Sequence, residues 1–528
     1  MNKATRGLSA MLGRCLAIVL AWGLCGPVQS RAAEPANGKT LFERHCVACH
    51  GDKGDGAGIA ARFLYPKPRD FTKAAFRLVT TANLKPSDED LFNVITNGMP
   101  GSAMFPFRHL SQAERQALVT HVRSLMRAGM MEIIRKEAEE GGEKPTPAEL
   151  EKAADQVLKP GEPIKLPAEM PAANAESVTR GKEFYAKGCA ACHGDTGKGD
   201  GQQNQKNDDG MPTSPRDFTR GIFKGGRDPR QLYARIALGM PGSPMPATIN
   251  LKPSEMGDLV NYILSLPEQG SEKRAEHRRS VITAKRDANS LPATIPEQLW
   301  ATAEQSPIIV TPLWWRRFPD PDLHVAALHD GTSLAIRLTW HDETRNDRMQ
   351  KPDDFEDMAA IQLYRGAAEP FIGMGGAGQA VDAWLWRASW QQPPAAAALD
   401  DYALDSPFFR EWFKSKNVPL PDFLTARAAG NQNARGEPAR SGSNLTAGGP
   451  GSMTYRPKTS QLVTATSTWK DGRWTVILRR PLVVKPDDGI ALSAGDSCSI
   501  AFALWDGAAR DRNGQKLVSI WHDLKLQK

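Results

Sequence analysis

Long apolar runs are almost absent from this chain. The one apolar core, residues 15–24, lies near the N-terminus and is too short for a comfortable membrane span. No other segment could cross a bilayer. An excess of one charge is lacking too. The formal net charge is +7, but Lys3, Arg6, Arg14 and Arg31 stand in the first 32 residues with no acid, and only +3 remains without them. That balance makes no case for nucleic acid as a partner. Tryptophan is missing between Trp22 and Trp300, so twelve of the thirteen fall in the last part of the chain and mark a change of domain. Cysteine is too sparse for a disulfide scaffold, with seven in 528 residues, and four of the seven sit in two short motifs.

The N-terminus pairs a basic start and the apolar core with Ser30-Arg31-Ala32, the pattern of a secretory signal cut after Ala32 or Ala33. Residues 1–32 are therefore expected to leave on export to the periplasm, taking Cys15 and Cys25 with them. A retained N-terminal membrane anchor is the alternative. Cys498 stands alone in an apolar, strand-like context that suits a buried core thiol.

The four remaining cysteines read Cys46-Val47-Ala48-Cys49-His50 and Cys189-Ala190-Ala191-Cys192-His193. Two thiols three positions apart form thioethers to the two vinyl groups of one haem, and the next histidine reaches the iron as proximal ligand. A zinc ribbon would need a second cysteine pair within one small domain, and a thioredoxin-like pair would need a βαβ context. Neither is present. Two covalent haems c are expected.

The motifs belong to an internal repeat. Gly38-Lys39-Thr40-Leu41-Phe42 matches Gly181-Lys182-Glu183-Phe184-Tyr185, Pro68-Arg69-Asp70-Phe71-Thr72 matches Pro215-Arg216-Asp217-Phe218-Thr219, and Gly98-Met99-Pro100-Gly101-Ser102 matches Gly239-Met240-Pro241-Gly242-Ser243. Each copy ends in a helix, with Leu118, Val119, Val122 and Leu125 on one face in the first and Leu259, Val260, Ile263 and Leu266 in the second. Ser111 and Glu114 make a capping box in copy one; copy two has Lys252 and Pro253 there instead. The copies give cytochrome domains at 33–130 and 178–267. A linker at 131–177, read as a short charged helix and then an extended Pro-rich stretch, and a basic linker at 268–294 follow them, and the last domain runs 295–528.

Copy two contains one histidine, His193, so its sixth ligand must be another residue type. Methionine serves, and His/Met ligation suits an electron carrier. Met99 with Met240 and Met104 with Met245 both survive in the two copies. Met104 and Met245 are each followed by a proline-containing segment and the last helix, as in single-haem class I cytochromes c, which the chain resembles over 37–128 and 178–267. Phe105 between Met104 and Pro106 departs from that pattern, and His45, His109 and His121 compete in copy one. Arg69 and Arg216 suit either haem propionates or a local acid.

The last domain reads as β. Residues 323–328 and 334–340 flank an Asp330-Gly331 turn, and 462–469 and 474–478 flank Asp471-Gly472. Further strands are expected at 359–364, 383–386 and 500–505, with 391–457 as a long Ala/Gly/Pro/Asn-rich excursion. The fold class is thus two all-α cytochrome c domains followed by a mostly β sandwich. Residues 297–527 resemble the haem b (gamma) subunit of ethylbenzene dehydrogenase and its relatives in the type II dimethyl sulfoxide reductase family. The resemblance lies in Leu338-Thr339-Trp340-His341-Asp342-Glu343-Thr344, Phe371-Ile372-Gly373-Met374-Gly375, Ala501-Phe502-Ala503-Leu504-Trp505-Asp506-Gly507 and Gly514-Gln515-Lys516 with Ser519-Ile520-Trp521. It implies a non-covalent haem b held by Met374 and Lys516. Lysine ligates as the neutral amine, so Lys516 must be buried. His341, near a strand end that is usually acidic, and the long excursion depart from the family.

The resemblance implies an electron-transfer subunit and not an enzyme. Its partners would be the catalytic and iron–sulfur subunits of a molybdenum enzyme and a soluble or membrane electron carrier. Two other readings compete. A dihaem peroxidase would need an open iron site, and the duplicated Met segments argue against one. A cytochrome fused to a carbohydrate-binding sandwich would explain the tryptophans, which alternating core positions explain equally well.

Overall fold

The computed structural model describes residues 37–528 except 203, 272–276, 315, 317–321, 349–352, 377, 392–410, 412–413 and 417–440. The signal region, with Cys15 and Cys25, and most of the 391–457 excursion lie outside the described residues. Copy one runs through α1 (Gly38–His45), α2 (Val47–His50), α3 (Asp88–Asn97) and α4 (Gln112–Glu140). Asn37 caps α1 by accepting from the Lys39 and Thr40 amides. Capping boxes of Ser87 with Asp90 and Ser111 with Glu114 open α3 and α4. Leu118, Val119, Val122 and Met126 form the buried side of α4. That helix does not stop at residue 130 but continues to Glu140. Helix α5 (Pro147–Leu158) folds back on it, and Arg127 ties the pair by reaching Glu151 at 3.4 Å and Asp155 at 2.7 Å. Ala82 N then donates to Glu162 O at 2.9 Å and Ile164 N to Thr80 O at 2.8 Å. The first part of 131–177 is therefore packed onto copy one, and its end onto copy two, where Ile164, Leu166 and Met170 join the core and Asn261 Nδ2 donates to the Pro171 carbonyl at 3.0 Å.

Copy two repeats the plan with α6 (Ala175–Gly188), α7 (Ala190–His193), a small ribbon β1 (Gln205–Lys206) and β2 (Pro212–Thr213), then α8 (Pro229–Leu238) and α9 (Pro253–Ser265). Without a serine cap, α9 starts on half a capping box: the Glu255 carboxylate accepts from the Lys252 amide at 2.7 Å.

The last domain holds β3 (Val281–Arg286), β4 (Ser306–Ile308), β5 (Thr311–Pro312), β6 (Leu323–His329), β7 (Ser333–His341), β8 (Met358–Tyr364), β9 (Val381–Arg387), β10 (Ser443–Ala447), β11 (Thr454–Tyr455), β12 (Thr464–Lys470), β13 (Arg473–Pro481), β14 (Ser497–Trp505), β15 (Leu517–Val518) and β16 (His522–Leu526). One hydrogen-bonded path runs β11-β10-β9-β8-β14-β16-β3-β6-β7-β13-β12. It curls over on itself. Trp386 of β9 lies 6.0 Å from Trp340 of β7 and 4.9 Å from Trp474 of β13, ring to ring, although β9 is far from both along the path. Ile282, Leu338, Ile361, Val476 and Ile500 fill the same core. The β12–β13 turn places Asp471 at φ 51° and Gly472 at φ 69°, the left-handed pair that a tight hairpin needs.

Two expectations change here. Residues 281–286, read as linker, form β3 in mid-sheet, parallel to both β16 and β6. The basic pattern hid an alternation in which Ile282 and Ala284 point into the core. Strands β10 and β11 lie inside the stretch read as an excursion; their Ser, Asn, Thr and Ala residues carry little strand signal.

Candidate haem sites

Both motif histidines are held in the same way. His50 Nδ1 lies 3.0 Å from the Arg69 carbonyl oxygen, and His193 Nδ1 lies 3.1 Å from that of Arg216. A carbonyl only accepts, so Nδ1 carries the proton and Nε2 keeps its lone pair for a metal. Phe71 stacks on His50 at 4.5 Å and Phe218 on His193 at 4.4 Å. The repeated Pro-Arg-Asp-Phe segment thus orients each imidazole by a backbone oxygen and an aromatic face. Burial lowers His50 to about 4 and shifts His193 the same way, so both rings are neutral, as ligation requires. Burial also pushes the Cys46 and Cys49 thiols up to about 12 and Cys189 up to about 11.

The methionine loops match as well. Met99 N donates to Met104 O at 2.8 Å, and Met240 N to Met245 O at 3.0 Å. Gly98 and Gly239 open these loops at φ 66°. A Cβ on Gly98 would stand 2.4 Å from Met104 O, and one on Gly239 2.6 Å from Ala247 N, so only glycine fits. A cavity of about 460 Å³ beside the first motif is lined by Cys46, Cys49, His50, Met99 and Met104. It lies within the ~300–1,000 Å³ typical of cofactor sites. His45 and His109 also line it, whereas His121 packs on Phe42 at 5.0 Å. In copy two Met245 and Cys189 pack together against the core around Tyr185, Phe218 and Leu259. Arg69 and Arg216 form no ion pair among the described residues: Asp70 and Asp217 accept instead from Thr72 and Thr219.

Met374 and Lys516 come together around a second cavity, which also touches Phe371, Ile372, Phe502 and Trp505. Its volume is about 80 Å³, so side chains must part for a macrocycle to enter. Its chemistry fits haem b better than its present size. Lys516 is 6% exposed, and its side-chain nitrogen has no hydrogen-bond or ion-pair partner among the described residues and lies 4.8 Å from the Trp505 ring. Burial lowers it to about 8, which brings the neutral amine within reach. Met374 sits at φ 79°, a strained conformation for a side chain of its size. The loop holds it there: Gly375 N donates to Phe371 O at 3.2 Å, and Gly449 N to Met374 O at 2.8 Å. The glycines flanking Met374 serve the loop's own packing, since a Cβ on Gly375 would stand 2.8 Å from Ala447 O.

Cytochrome copy one walls this cavity too, through Ala60, Phe63 and Leu64. Phe63 lies against Gly514, where a Cβ would meet its ring at 2.4 Å, and Tyr65 N donates to Leu313 O at 2.9 Å. Phe63 and Tyr65 are not singled out by the sequence, because nothing local marks residues whose partners, Gly514 and Leu313, lie in the last domain.

Histidines prepared for iron beside paired thiols, in duplicate, define a multidomain cytochrome. Comparison with known proteins makes this particular. Residues 33–122 match the family described as cytochrome c oxidase, cbb3-type, subunit III, and 178–267 match cytochrome c. Residues 316–517 match ethylbenzene dehydrogenase. The chain thus carries an ethylbenzene dehydrogenase-type domain behind two cytochrome c domains. It is 28% identical over 202 residues to the putative respiratory nitrate reductase heme subunit ORF7 of Haloferax mediterranei, covering 38% of this chain and 54% of that protein. It is 29% identical over 206 residues to the chlorate reductase subunit gamma of Ideonella dechloratans, covering 39% and 64%. The chain thus spans less than two thirds of either relative, and both are named as haem or gamma subunits rather than catalytic ones. A chain of the Kuenenia stuttgartiensis reducing HAO-like protein complex is 31% identical, with 44% of this chain and 96% of that one covered and a TM-score of 0.37. No helix among the described residues is long and apolar enough to cross a membrane.

Proposed function

We propose that the chain is an exported electron-transfer subunit, itself no enzyme, that relays electrons between a molybdenum/iron–sulfur oxidoreductase and an external carrier. Two haems c stand on His50–Met104 and His193–Met245, and one haem b on Met374–Lys516. Each haem supplies a one-electron couple whose potential its axial ligands and burial set. The order is haem b, then the His50 site, then the His193 site.

One observation carries this order. Cys49, Leu64, Ala103, Phe105, Phe371 and Ile372 line both cavities, so a single layer of side chains separates them. Cys49 is itself a thioether position. Electron exchange falls steeply with distance, and this wall is thin. Met245 in the copy-two core supports Met104 and Met245 over Met99 and Met240. The named gamma and haem subunits among the relatives support a molybdoenzyme partner.

The test removes one station at a time. With Cys46→Ser/Cys49→Ser, haem b reduced by a pulse should stay reduced in the presence of an external acceptor. With Cys189→Ser/Cys192→Ser, haem b should still pass its electron rapidly to the remaining haem c. Equal rates in both variants would reject the order.

A further inference from the structure

Four cations converge where the two cytochrome domains meet. Arg69 and Arg77 come from copy one, Arg216 and Lys224 from copy two. They occupy equivalent positions: Arg69-Asp70-Phe71 corresponds to Arg216-Asp217-Phe218, and Phe76-Arg77, at the same spacing, to Phe223-Lys224. In each copy the two aromatic rings stack, with centroids 5.8 Å apart.

Contacts across the interface are reciprocal. The Arg216 guanidinium lies so close to Gly101 of copy one that a Cβ there would stand 2.5 Å from Nη1. Gly242 is the counterpart of Gly101, and Arg69 Nη1 lies 4.0 Å from where its Cβ would stand. Arg77 Nη2 donates to the Gly242 carbonyl at 3.3 Å. Most telling, Lys224 of copy two lines the cavity beside the copy-one motif, together with Arg69 and Arg77. Such an exchange is what a pseudo-two-fold axis between the copies produces.

No direct ion pair neutralises this cluster. None of the four forms an ion pair among the described residues, and the buried Arg77 Nε has no acceptor. Asp70 and Asp209 act on Arg69, Asp208 and Asp209 on Arg77, and Asp217 on Arg216, all from beyond ion-pair distance. The charges acting on Lys224 are all positive: Arg216, Arg77 and Arg69. Cations gathered out of water need anions to complete them. Two haems c bring four propionates, one for each cation.

We propose that Arg69, Arg77, Arg216 and Lys224 form one shared propionate site in the interface, in which each cytochrome domain completes the haem pocket of the other, Lys224 binding the propionates of the haem on His50. The inference rests on haem c at both motifs and is independent of haem b. A cation beside the propionates favours the reduced, less positive haem, so its removal lowers that haem's potential.

Spectropotentiometry of the full chain tests this. A Cys46→Ala background leaves one vinyl of the first haem free, which moves its absorption to longer wavelength and lets it be read apart from the second. Haem staining and mass first establish that both haems c are attached; a missing haem would speak against the attachment reading, not this one. Lys224→Gln should then shift the labelled haem's oxidised-to-reduced ratio about tenfold toward oxidised, about 59 mV for one electron, and move the other haem less. Lys224→Arg should restore the original value. A larger shift on the unlabelled haem, or none on either, overturns the proposal. If the label impairs folding, Cys189→Ala marks the second haem instead, and the same unequal shift is read in reverse.

Discussion

Lys516 shows how a residue's burial can hide in the sequence. Within Asn513-Gly514-Gln515-Lys516 it reads as a solvated turn lysine, and only family resemblance suggests a ligand. The structure gives the physical reason: Leu313 N pairs with the Lys516 carbonyl at 2.9 Å, which draws the end of the turn into the sheet and takes the ammonium out of water without a carboxylate. Changing Lys516 to Ala should abolish haem b while leaving both haems c, as read from reduced-minus-oxidised spectra; unchanged haem b would reject the ligand. A second residue-scale expectation concerns Asp357, fully buried beside Asp342 and Asp506. Burial first, then the Asp342 charge, raises its carboxyl far above the ordinary range. The native state therefore holds a proton that the unfolded chain, with a carboxyl near ~3.9, has released. Stability from this group is full below that value and is lost as pH rises toward and through the raised one, by at most about 1.4 kcal/mol per pH unit. Asp357→Asn should flatten that slope in denaturant titrations from pH 4 to 8. It should also cost about 1–3 kcal/mol at low pH, because the amide group cannot accept from all of the Gly507, Asn346 and Trp474 N–H donors. A slope unchanged by the substitution would contradict the shift.

Elements differ in how openly the sequence declares them. The hairpins β6–β7 and β12–β13 are legible because alternation and an Asp-Gly turn agree. Strand β3 is not, since a parallel strand has no turn to announce it and its neighbours β6 and β16 lie about 40 and 240 residues away. Helix α4 overruns its expected boundary because its periodicity continues through Met126 and Met130 into a charged stretch that α5 covers. The methionine loops are intermediate. Their repeat is plain, but choosing between the two methionines of each copy needs packing. Met245→Leu should remove the long-wavelength band of methionine-ligated ferric haem from one haem c, whereas Met240→Leu should keep it. The opposite pattern would exchange their roles.

At the scale of the whole molecule, the junctions are what no sequence pattern announces. Tyr65 joins all three domains: its amide donates to Leu313 O at 2.9 Å, its hydroxyl donates to the Pro212 carbonyl and accepts from Asn207 Nδ2 at 3.0 Å, and its ring lies 5.6 Å from Trp314. Arg235 of α8 adds hydrogen bonds to the Arg77 and Val79 carbonyls, the first at 2.7 Å. These contacts bring the first haem c cavity against both the second cytochrome domain and the sheet domain, the arrangement that the proposed relay order rests on. The proposed relay depends on the number and kind of haems in one chain. The pyridine haemochrome spectrum of the purified full-length protein measures both: it should give two haems c to one haem b, and a protein carrying haem c alone would contradict it.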